Sequence, residues 1–395
     1  MKNQQTGNST KQKGNQGINT RLAHGGYNPR DYHGFVNPPV VHASTVLFPD
    51  TEIMLGRTAK YVYGTHGSPT SDALGDLLSE LENAAGTILV PSGLAAITIP
   101  MMAFAKAGDH ALIVDSCYDP TRRFCDTVLK RIGVEVEYFN PLIGAGISSL
   151  MRPNTGIVLT ETPGSNTFEM MDIPAICEAA HKVDAVVMLD NTWATPLLFK
   201  PLDYGVDISI HALTKYPSGH SDLVLGAASA NARTFDQLRD THLGMGICAA
   251  PDDCYLVFRG LKTMGLRLKH HERSALEVAR WLQGRDEVAR VLHPALEDDP
   301  GHELWKRDFK GSSGLFAFVL KDKSREEARA FLDGLQLFGL GYSWGGFESL
   351  VTLPDLSHRT IATPPTDGSL IRVQIGLEDV KDIIGDLERG FAAVR

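Results

Sequence analysis

Short apolar runs alternate with helix-like stretches between about residues 86 and 229, and this alternation constrains the fold more than any other feature. The runs span residues 87–90, 111–114, 134–136, 157–159, 186–189, 208–210 and 223–225. Strands that are apolar on both faces and separated by helices are typical of a mostly parallel sheet covered by helices on both sides. The sequence therefore predicts a large α/β domain built on such a sheet.

The pattern changes after about residue 262. An amphipathic helix is predicted over residues 266–282, and spaced strands follow it, for example over 314–320 and 370–375. This region is predicted to form a smaller α+β domain. The predicted organisation is an N-terminal extension over residues 1–66, an α/β domain over 67–262 and an α+β domain over 263–395.

Composition and charge exclude several classes of protein. A chain of 395 residues with 43% hydrophobic content can bury a large core. Its formal net charge is −9 and it has no block of consecutive basic residues, so nucleic acid is not an expected partner. The uncharged run over residues 87–105 is nearly long enough to span a bilayer. Its prolines and glycine favour a strand, a tight turn and a helix instead.

The N-terminus and the cysteines indicate the compartment. Residues 1–19 are rich in Lys, Gln, Asn and Gly and lack the apolar segment of a signal peptide. We expect this segment to be disordered and the protein to be cytoplasmic. The five cysteines are an odd number without a C-x-x-C pair. Buried thiols in a reducing compartment are therefore expected, rather than disulfides or a metal site.

A lysine and an aspartate follow neighbouring predicted strands. Lys215 comes behind Thr214, after the run 208–210, and Asp190 ends the run 186–189. Ligands of an open α/β sheet bind beyond the carboxyl ends of its strands. A pyridoxal 5'-phosphate (PLP) enzyme needs an amine for a Schiff base and a carboxylate for the pyridinium nitrogen. A lone lysine is usually a surface charge and an aspartate can cap a helix, so the PLP prediction rests on the pair.

Other predicted strand ends carry residues that suit the same cofactor. Gly93 lies in a small-residue turn that opens a helix, where backbone N–H groups can face a phosphate. About half of such turns are structural only. Tyr118 follows the run 111–114 and could stack on a pyridine ring or simply pack in the core. The Thr214 hydroxyl could bind the phosphate.

Taken together, these residues resemble the Cys/Met metabolism enzymes, which use PLP on the type I, aspartate aminotransferase-like fold. The resemblance extends from about Thr20 to the C-terminus. It is carried by Asn37-Pro38-Pro39, Ser44-Thr45, Thr214-Lys215-Tyr216, Gly219-His220-Ser221-Asp222, Arg259-Gly260-Leu261-Lys262-Thr263 and Tyr342-Ser343-Trp344-Gly345-Gly346-Phe347-Glu348-Ser349. Ala212, the sequence Pro163-Gly164-Ser165 and the block around Trp344 favour the β-lyase branch of the family.

The resemblance implies a role for each matched position. Lys215 would form the Schiff base and transfer protons, Asp190 would pair with the pyridinium nitrogen, and Tyr118 would stack on the ring. The implied phosphate contacts are Gly93, Leu94 and Thr214, with Tyr63 reaching in from a neighbouring subunit. Arg372 would bind the substrate α-carboxylate, and Ser343 and Trp344 would line the same pocket. The implied assembly is a homo-oligomer, at least a dimer and more typically a tetramer.

The chain departs from the family at several positions. Relatives have an arginine where this chain has Thr65, so His66 or Arg57 would have to replace that phosphate contact. Leu243 stands about where the β-lyase has an active-site tyrosine. Arg123 stands where it has an acid. The distal part of the substrate pocket is therefore expected to differ.

The implied reaction is cleavage of a carbon–sulfur bond by α,β-elimination from an L-cysteine thioether such as L-cystathionine. Three alternatives stay open from the sequence. One is γ-elimination or γ-replacement by the same scaffold, and another is β-elimination from a different cysteine conjugate. The third, of a different class, is a PLP-binding protein without turnover.

Overall fold

The computed structural model describes residues 16–363 and 365–394. The disorder predicted over residues 1–19 therefore lies largely outside the described residues. Ile18 and Asn19, however, belong to the first helix, α1 (Ile18–His24), which buries Leu22.

The larger sheet is built from strands in the first part of the chain. They are β1 (Gly86–Val90), β2 (His110–Val114), β3 (Glu135–Phe139), β4 (Thr155–Glu161), β5 (Val186–Asp190), β6 (Ile208–Ala212) and β7 (Gly226–Ala230). Their order is β1-β7-β6-β5-β4-β2-β3. The pairings between β3, β2, β4, β5 and β6 are parallel, whereas β7 is antiparallel to β1 and β6. The predicted, mostly parallel sheet is confirmed.

The smaller sheet comes from the C-terminal part of the chain. Its strands are β8 (Val288–Leu292), β9 (Leu315–Lys321), β10 (Gly339–Leu340), β11 (Leu350–Thr352) and β12 (Gly368–Gln374). Their order is β10-β11-β12-β9-β8, with β12 antiparallel to β9 and β11. Alternate residues of β9 and β12 belong to a second hydrophobic cluster, among them Phe316, Phe318 and Ile371, whereas Leu315, Ala317 and Leu370 join the cluster of the larger sheet. The predicted smaller α+β region is confirmed.

Further helices follow α1. They are α2 (Thr51–Gly56), α3 (Pro69–Glu82), α4 (Gly93–Phe104), α5 (Asp119–Phe124), α6 (Ile173–His181), α7 (Thr195–Leu198), α8 (Phe235–Gly244), α9 (Pro251–Gln283), α10 (His302–Asp308), α11 (Arg325–Asp333) and α12 (Val380–Ala392). Helix α3 shows why such segments form: Ser68 caps its first turn, Pro69 occupies the first helical position, and a leucine face is buried.

Helix α9 is longer than the predicted helix over residues 266–282. It begins at Pro251, where a proline and acidic residues of the first turn favour a helix start. A Cβ on Gly260, in the middle of this helix, would lie 2.3 Å from the Pro217 carbonyl oxygen. This glycine permits close packing within a continuous helix. The predicted domain boundary at 262/263 falls inside α9, and the division into domains stays a prediction.

The strand predicted over residues 223–225 is wrong, because the strand is β7, directly after it. Strand β7 consists only of glycine, alanine and serine, which give little β signal in a sequence. It is nevertheless fully buried between β1 and β6. Small residues are required because a Cβ on Gly226 would lie 2.2 Å from the Ser92 carbonyl oxygen.

Sequence-based predictions were also made for the cysteines and for the uncharged run over residues 87–105. All five cysteines are free thiols, and four are buried as predicted; Cys248 is exposed, in the segment between α8 and α9, so the prediction is wrong for that residue. Residues 87–105 form most of β1, a turn and α4. No helix in the described part of the chain is long and apolar enough to cross a membrane.

Candidate active site

The order of the larger sheet brings four polar side chains to one edge. Strands β6, β5, β4 and β2 are consecutive neighbours. Lys215 follows β6, Asp190 ends β5, Glu161 ends β4 and Tyr118 follows β2. All four line one cavity of about 660 Å³, called the Lys215 cavity below. The residues predicted at neighbouring strand ends therefore line one cavity, and Glu161 lines it as well.

The Lys215 amine is held at a defined position in this cavity. Its Nζ donates a hydrogen bond to the Ser343 hydroxyl at 2.8 Å and lies 5.3 Å from the centre of the Trp344 ring. Burial and the nearby Arg372 lower the pKa of the amine to about 8, while Asp190 opposes this shift. Lys215 is therefore uncharged near neutral pH far more often than an exposed lysine.

The Asp190 carboxylate is oriented by its own turn. Its Oδ1 accepts hydrogen bonds from the backbone N–H of Thr192 at 3.0 Å and from the Thr192 hydroxyl at 2.5 Å. That hydroxyl also accepts from the N–H of Ala212, which ties the end of β5 to β6. Burial raises the pKa of Asp190, and the Thr192 hydrogen bonds oppose the rise. Among the described residues none bonds to Oδ2, which can therefore receive a cationic N–H.

The N-terminus of α4 forms a cradle beside the carboxylate. Ser92 caps this helix by accepting from the Ala95 N–H at 3.1 Å. A Cβ on Gly93 would lie 2.5 Å from the Cβ of Ala212, so only glycine fits. Leu94 and Thr214 also line the cavity, and the Thr214 hydroxyl donates to the Leu225 carbonyl oxygen at 3.2 Å. The positive end of α4 thus faces the same space as Lys215.

Arg372 enters the cavity from the smaller sheet. It lies on β12, and its guanidinium donates to the Tyr342 carbonyl oxygen at 2.7 Å and to the Asn166 side-chain oxygen at 3.4 Å. Burial lowers the pKa of Arg372 to about 10, so the group stays charged at neutral pH. Trp344 lines the same cavity, and Ser343 reaches it through its bond to Lys215.

Tyr118 and Glu161 are joined by a hydrogen bond. The backbone N–H of Tyr118 donates to Glu161 Oε2 at 2.7 Å. Burial, Asp190 and Glu161 raise the pKa of the Tyr118 phenol, which therefore stays protonated. Glu161 was not predicted from the sequence, although it closely follows the apolar run 157–159, with only Thr160 between them. An acid at the end of a predicted strand is the signal that would have found it.

Tyr63 and the residues named above as departures from the family pattern lie outside the Lys215 cavity. Tyr63, Thr65, His66 and Leu243 line a second cavity of about 920 Å³, called the Tyr63 cavity below. The structure does not bring Tyr63 to Lys215 within one chain. Arg123 is exposed and is absent from the lining of both cavities, and the same holds for Arg57.

The donor set of the Lys215 cavity fits PLP. An amine with a lowered pKa, a carboxylate oxygen without a partner among the described residues, a helix N-terminus that admits only glycine and an aromatic ring all face one space. These groups match the aldehyde, the ring nitrogen, the phosphate and the ring face of that cofactor.

Comparison with known proteins agrees with this fit. The model of a family described as Cys/Met metabolism PLP-dependent enzyme matches residues 19–392. The crystal structure of metB from Corynebacterium glutamicum superposes with a TM-score of 0.90 and 32% identity, over 97% of this chain and 99% of that one. The type I fold of PLP enzymes is therefore the fold of this chain.

Individual relatives carry different names. A putative cystathionine beta-lyase of Rhizobium johnstonii is 66% identical, over 96% of this chain and 97% of the relative. Cystathionine beta-lyase MetC of Escherichia coli is 45% identical, over 95% and 98%. An L-alanine/L-glutamate racemase of Wolbachia pipientis is 42% identical, over 92% and 94%.

Proposed function

The chain belongs to the Cys/Met metabolism PLP-dependent enzymes, and from this premise we propose that it is a cystathionine β-lyase. It would cleave the Cβ–S bond of L-cystathionine by α,β-elimination and release L-homocysteine and 2-aminoacrylate. Water would then hydrolyse the 2-aminoacrylate to pyruvate and ammonia. The observation that carries the proposal is the convergence of Lys215, Asp190 and Arg372 on one cavity. The relative with 66% identity, which bears the lyase name, supports the choice of reaction.

The strand-end residues would hold the cofactor. When bound, PLP supplies a covalent anchor for the substrate amino group and an electron sink for charge that develops at Cα. Lys215 would bind the cofactor covalently through its amine. Asp190 Oδ2 would accept a hydrogen bond from the protonated ring nitrogen, and Tyr118 would cover the ring face. The N–H groups of Gly93 and Leu94 and the Thr214 hydroxyl would receive the phosphate. A carboxylate at the ring nitrogen keeps that nitrogen charged, which strengthens the sink.

Lys215 would also move the protons of the reaction. With a pKa lowered to about 8, its amine can take the Cα proton near neutral pH. The Ser343 hydroxyl, 2.8 Å from Nζ, would keep the amine directed at that atom. The same Nζ could then return a proton to the departing thiolate. Lys215 would then be the single acid–base group of the elimination, with an amine that reaches both Cα and the sulfur.

Arg372 would orient the substrate. A planar guanidinium binds two carboxylate oxygens at once, which an ammonium cannot do. The Tyr342 carbonyl oxygen holds one edge of the guanidinium at 2.7 Å. Trp344 would exclude water from the side of the cavity next to Lys215.

A second copy of the chain would complete the site. Tyr63 lies outside the Lys215 cavity of its own chain, so its phosphate contact would have to be made in a partner's site. His66 or Arg57 would replace the charge missing at Thr65. A dimer is then the minimum active assembly, a tetramer the expected one, and the cytoplasm the expected location.

Mixed oligomers test the shared site. Lys215→Ala and Tyr63→Ala chains with different tags are co-expressed, and the mixed species is purified. If Tyr63 acts in the partner's site, one site of each mixed dimer contains both native residues, so activity returns. Lys215→Ala mixed with Asp190→Asn is the matched control: both residues lie in one chain's cavity, so no recovery is expected. Absence of recovery in the first mixture would contradict the sharing.

Product analysis tests the reaction. Protein loaded with PLP is incubated with L-cystathionine, and pyruvate, 2-oxobutyrate and homocysteine are measured together. Equal amounts of pyruvate and homocysteine are expected. Formation of 2-oxobutyrate would move the assignment to γ-elimination. Conversion of L-alanine to D-alanine, assayed in parallel, would favour the activity after which the Wolbachia relative is named.

A further inference from the structure

Glu161 is a second acid beside Asp190 that none of the steps above uses. In the parallel pairing of β4 with β5, Glu161 stands directly opposite Asp190. Both side chains line the Lys215 cavity. On the other side of β4, the chain after β2 brings Tyr118, whose backbone N–H donates to Glu161 Oε2 at 2.7 Å. Glu161 is thus placed between the ring-nitrogen partner and the ring-covering tyrosine.

No cation neutralises Glu161 among the described residues. Arg359 is the nearby guanidinium, but it donates to the Ser165 carbonyl oxygen and the Thr167 hydroxyl and pairs with Glu169 at 3.5 Å. Burial and the neighbouring Asp190 raise the pKa of Glu161 well above its usual value, against the Tyr118 N–H, Arg359 and the Ser165 side chain. Burial and the adjacent carboxylate therefore both favour the protonated form of Glu161.

Glu161 holds the backbone that carries the Tyr118 ring. The tyrosine is the residue before α5, with φ −51° and ψ 129° outside the helical region, and it is 46% exposed. Within the described residues, the hydrogen bond from its N–H goes to Glu161 only. Loss of this acceptor would leave the Tyr118 N–H without a hydrogen bond. That costs free energy, which favours a shift of the segment to another conformation.

We propose that Glu161 is a positioning residue: as the uncharged acid it accepts the Tyr118 N–H, fixes that ring over the cofactor and leaves Asp190 as the only anion at the ring nitrogen. The proposal rests on the proposed function insofar as Tyr118 covers a bound PLP. It does not depend on which amino acid is the substrate. Two ionised carboxylates side by side would repel each other, and a neutral Glu161 avoids this.

Two substitutions separate the parts of this proposal. Glu161→Gln keeps an oxygen that can accept the Tyr118 N–H and carries no charge. Glu161→Ala removes the acceptor. Affinity for PLP is measured by titration of the apo protein, and the pH dependence of the visible absorbance of bound PLP is recorded. Neither readout involves the sulfur substrate, so failure of the lyase assignment leaves this test intact.

The expected results differ between the two variants. Glu161→Gln should bind PLP within about threefold of the native protein and keep its absorbance profile against pH. Glu161→Ala should bind about tenfold more weakly, the loss of one positioned hydrogen bond, and turn over more slowly. Glu135→Ala, which removes an exposed glutamate of β3 in the same sheet, is the matched control and should change neither readout.

Other outcomes would overturn the proposal. If Glu161→Gln shifts the absorbance profile by about one pH unit, the native residue is charged beside Asp190. If Glu161→Ala binds PLP as the native protein does, Glu161 does not position Tyr118. Should Glu161→Ala fail to fold, as judged by circular dichroism, the absorbance profile of Glu161→Gln still decides the charge of Glu161.

Discussion

Lys215 and Lys262 show what distinguishes a site from a buried charge. Burial lowers the pKa of both amines to about 8. Lys262 lies on α9, 3.8 Å from the centre of the Phe258 ring, and its Nζ donates to the Gly25 carbonyl oxygen at 3.4 Å. Lys215 instead faces a cavity with a carboxylate, a guanidinium and a helix N-terminus. A shifted pKa identifies a buried amine, and only the neighbouring groups give it a function.

The largest expected difference is between alanine substitutions of the two lysines. Lys215→Ala should lower kcat by a factor on the order of 10⁴, because both the covalent anchor and the proton-transfer group are lost. The visible absorbance of the bound cofactor should disappear with it. Lys262→Ala should leave kcat within about twofold. Steady-state kinetics and absorbance spectra of both variants check this; equal losses would remove the distinction.

The second largest effect is expected at Asp190, the carboxylate beside Lys215 that has no counterpart in the surroundings given above for Lys262. Asp190→Asn keeps the shape of the side chain but removes its charge, so the ring nitrogen is no longer held protonated. We expect kcat to fall by roughly 10²–10³, as for the loss of a preorganised charge. A thermal unfolding midpoint close to that of the native protein would show that the fold is retained. Unchanged turnover would exclude Asp190 as the partner of the ring nitrogen.

A third prediction concerns the pH at which apo protein captures PLP. Only the uncharged Lys215 amine can react, and its pKa is lowered to about 8 by burial and Arg372. The capture rate should fall about tenfold per pH unit well below pH 8 and level off above it. Stopped-flow absorbance between pH 6 and 9 measures this. Arg372→Ala should move the midpoint upward, and Arg372→Lys should not; a native midpoint near 10 would contradict the account.

The smallest predicted effect is on stability at Lys262. The folded-state pKa lies below the unfolded value, so the folded protein binds fewer protons and native stability rises as pH increases from about 8 to 10. Lys262→Met removes this cost and should be more stable at pH 7 by about 1 kcal/mol. The advantage should shrink above pH 10. Denaturant unfolding at pH 7 and 10.5 tests the sign, and a constant difference would show that the charge is not responsible.

The sequence predicted the parts of the fold and site that depend on pattern. Apolar runs separated by helices indicated the parallel strands, and polar residues at their ends indicated Lys215, Asp190 and Tyr118. It could not predict β7, because glycine and alanine pack there without a β signal. The early start of α9 was missed because the prediction followed the amphipathic pattern from residue 266, whereas Pro251 and the acidic first turn mark the start of the helix.

The composition of the site could be predicted less completely than its main residues. Glu161 was missed although it lies at the end of a predicted strand, and the strand order, which places β4 between β5 and β2, is what brings it beside Asp190 and Tyr118. The hydrogen bond from Lys215 to Ser343 joins residues far apart in sequence, so no local sequence pattern indicates it. Tyr63 is assigned to a neighbouring chain by resemblance alone, and this assignment stays a prediction.

The central claim is that the Lys215 cavity is the cofactor site. Borohydride reduction of the PLP-loaded protein fixes the cofactor on the lysine that holds it, and mass spectrometry of the proteolytic peptides then identifies that residue. The account predicts the pyridoxyl group on Lys215, with Lys262 unmodified despite its similar pKa. A pyridoxyl group on Lys262 or any other lysine, with Lys215 free, would contradict it.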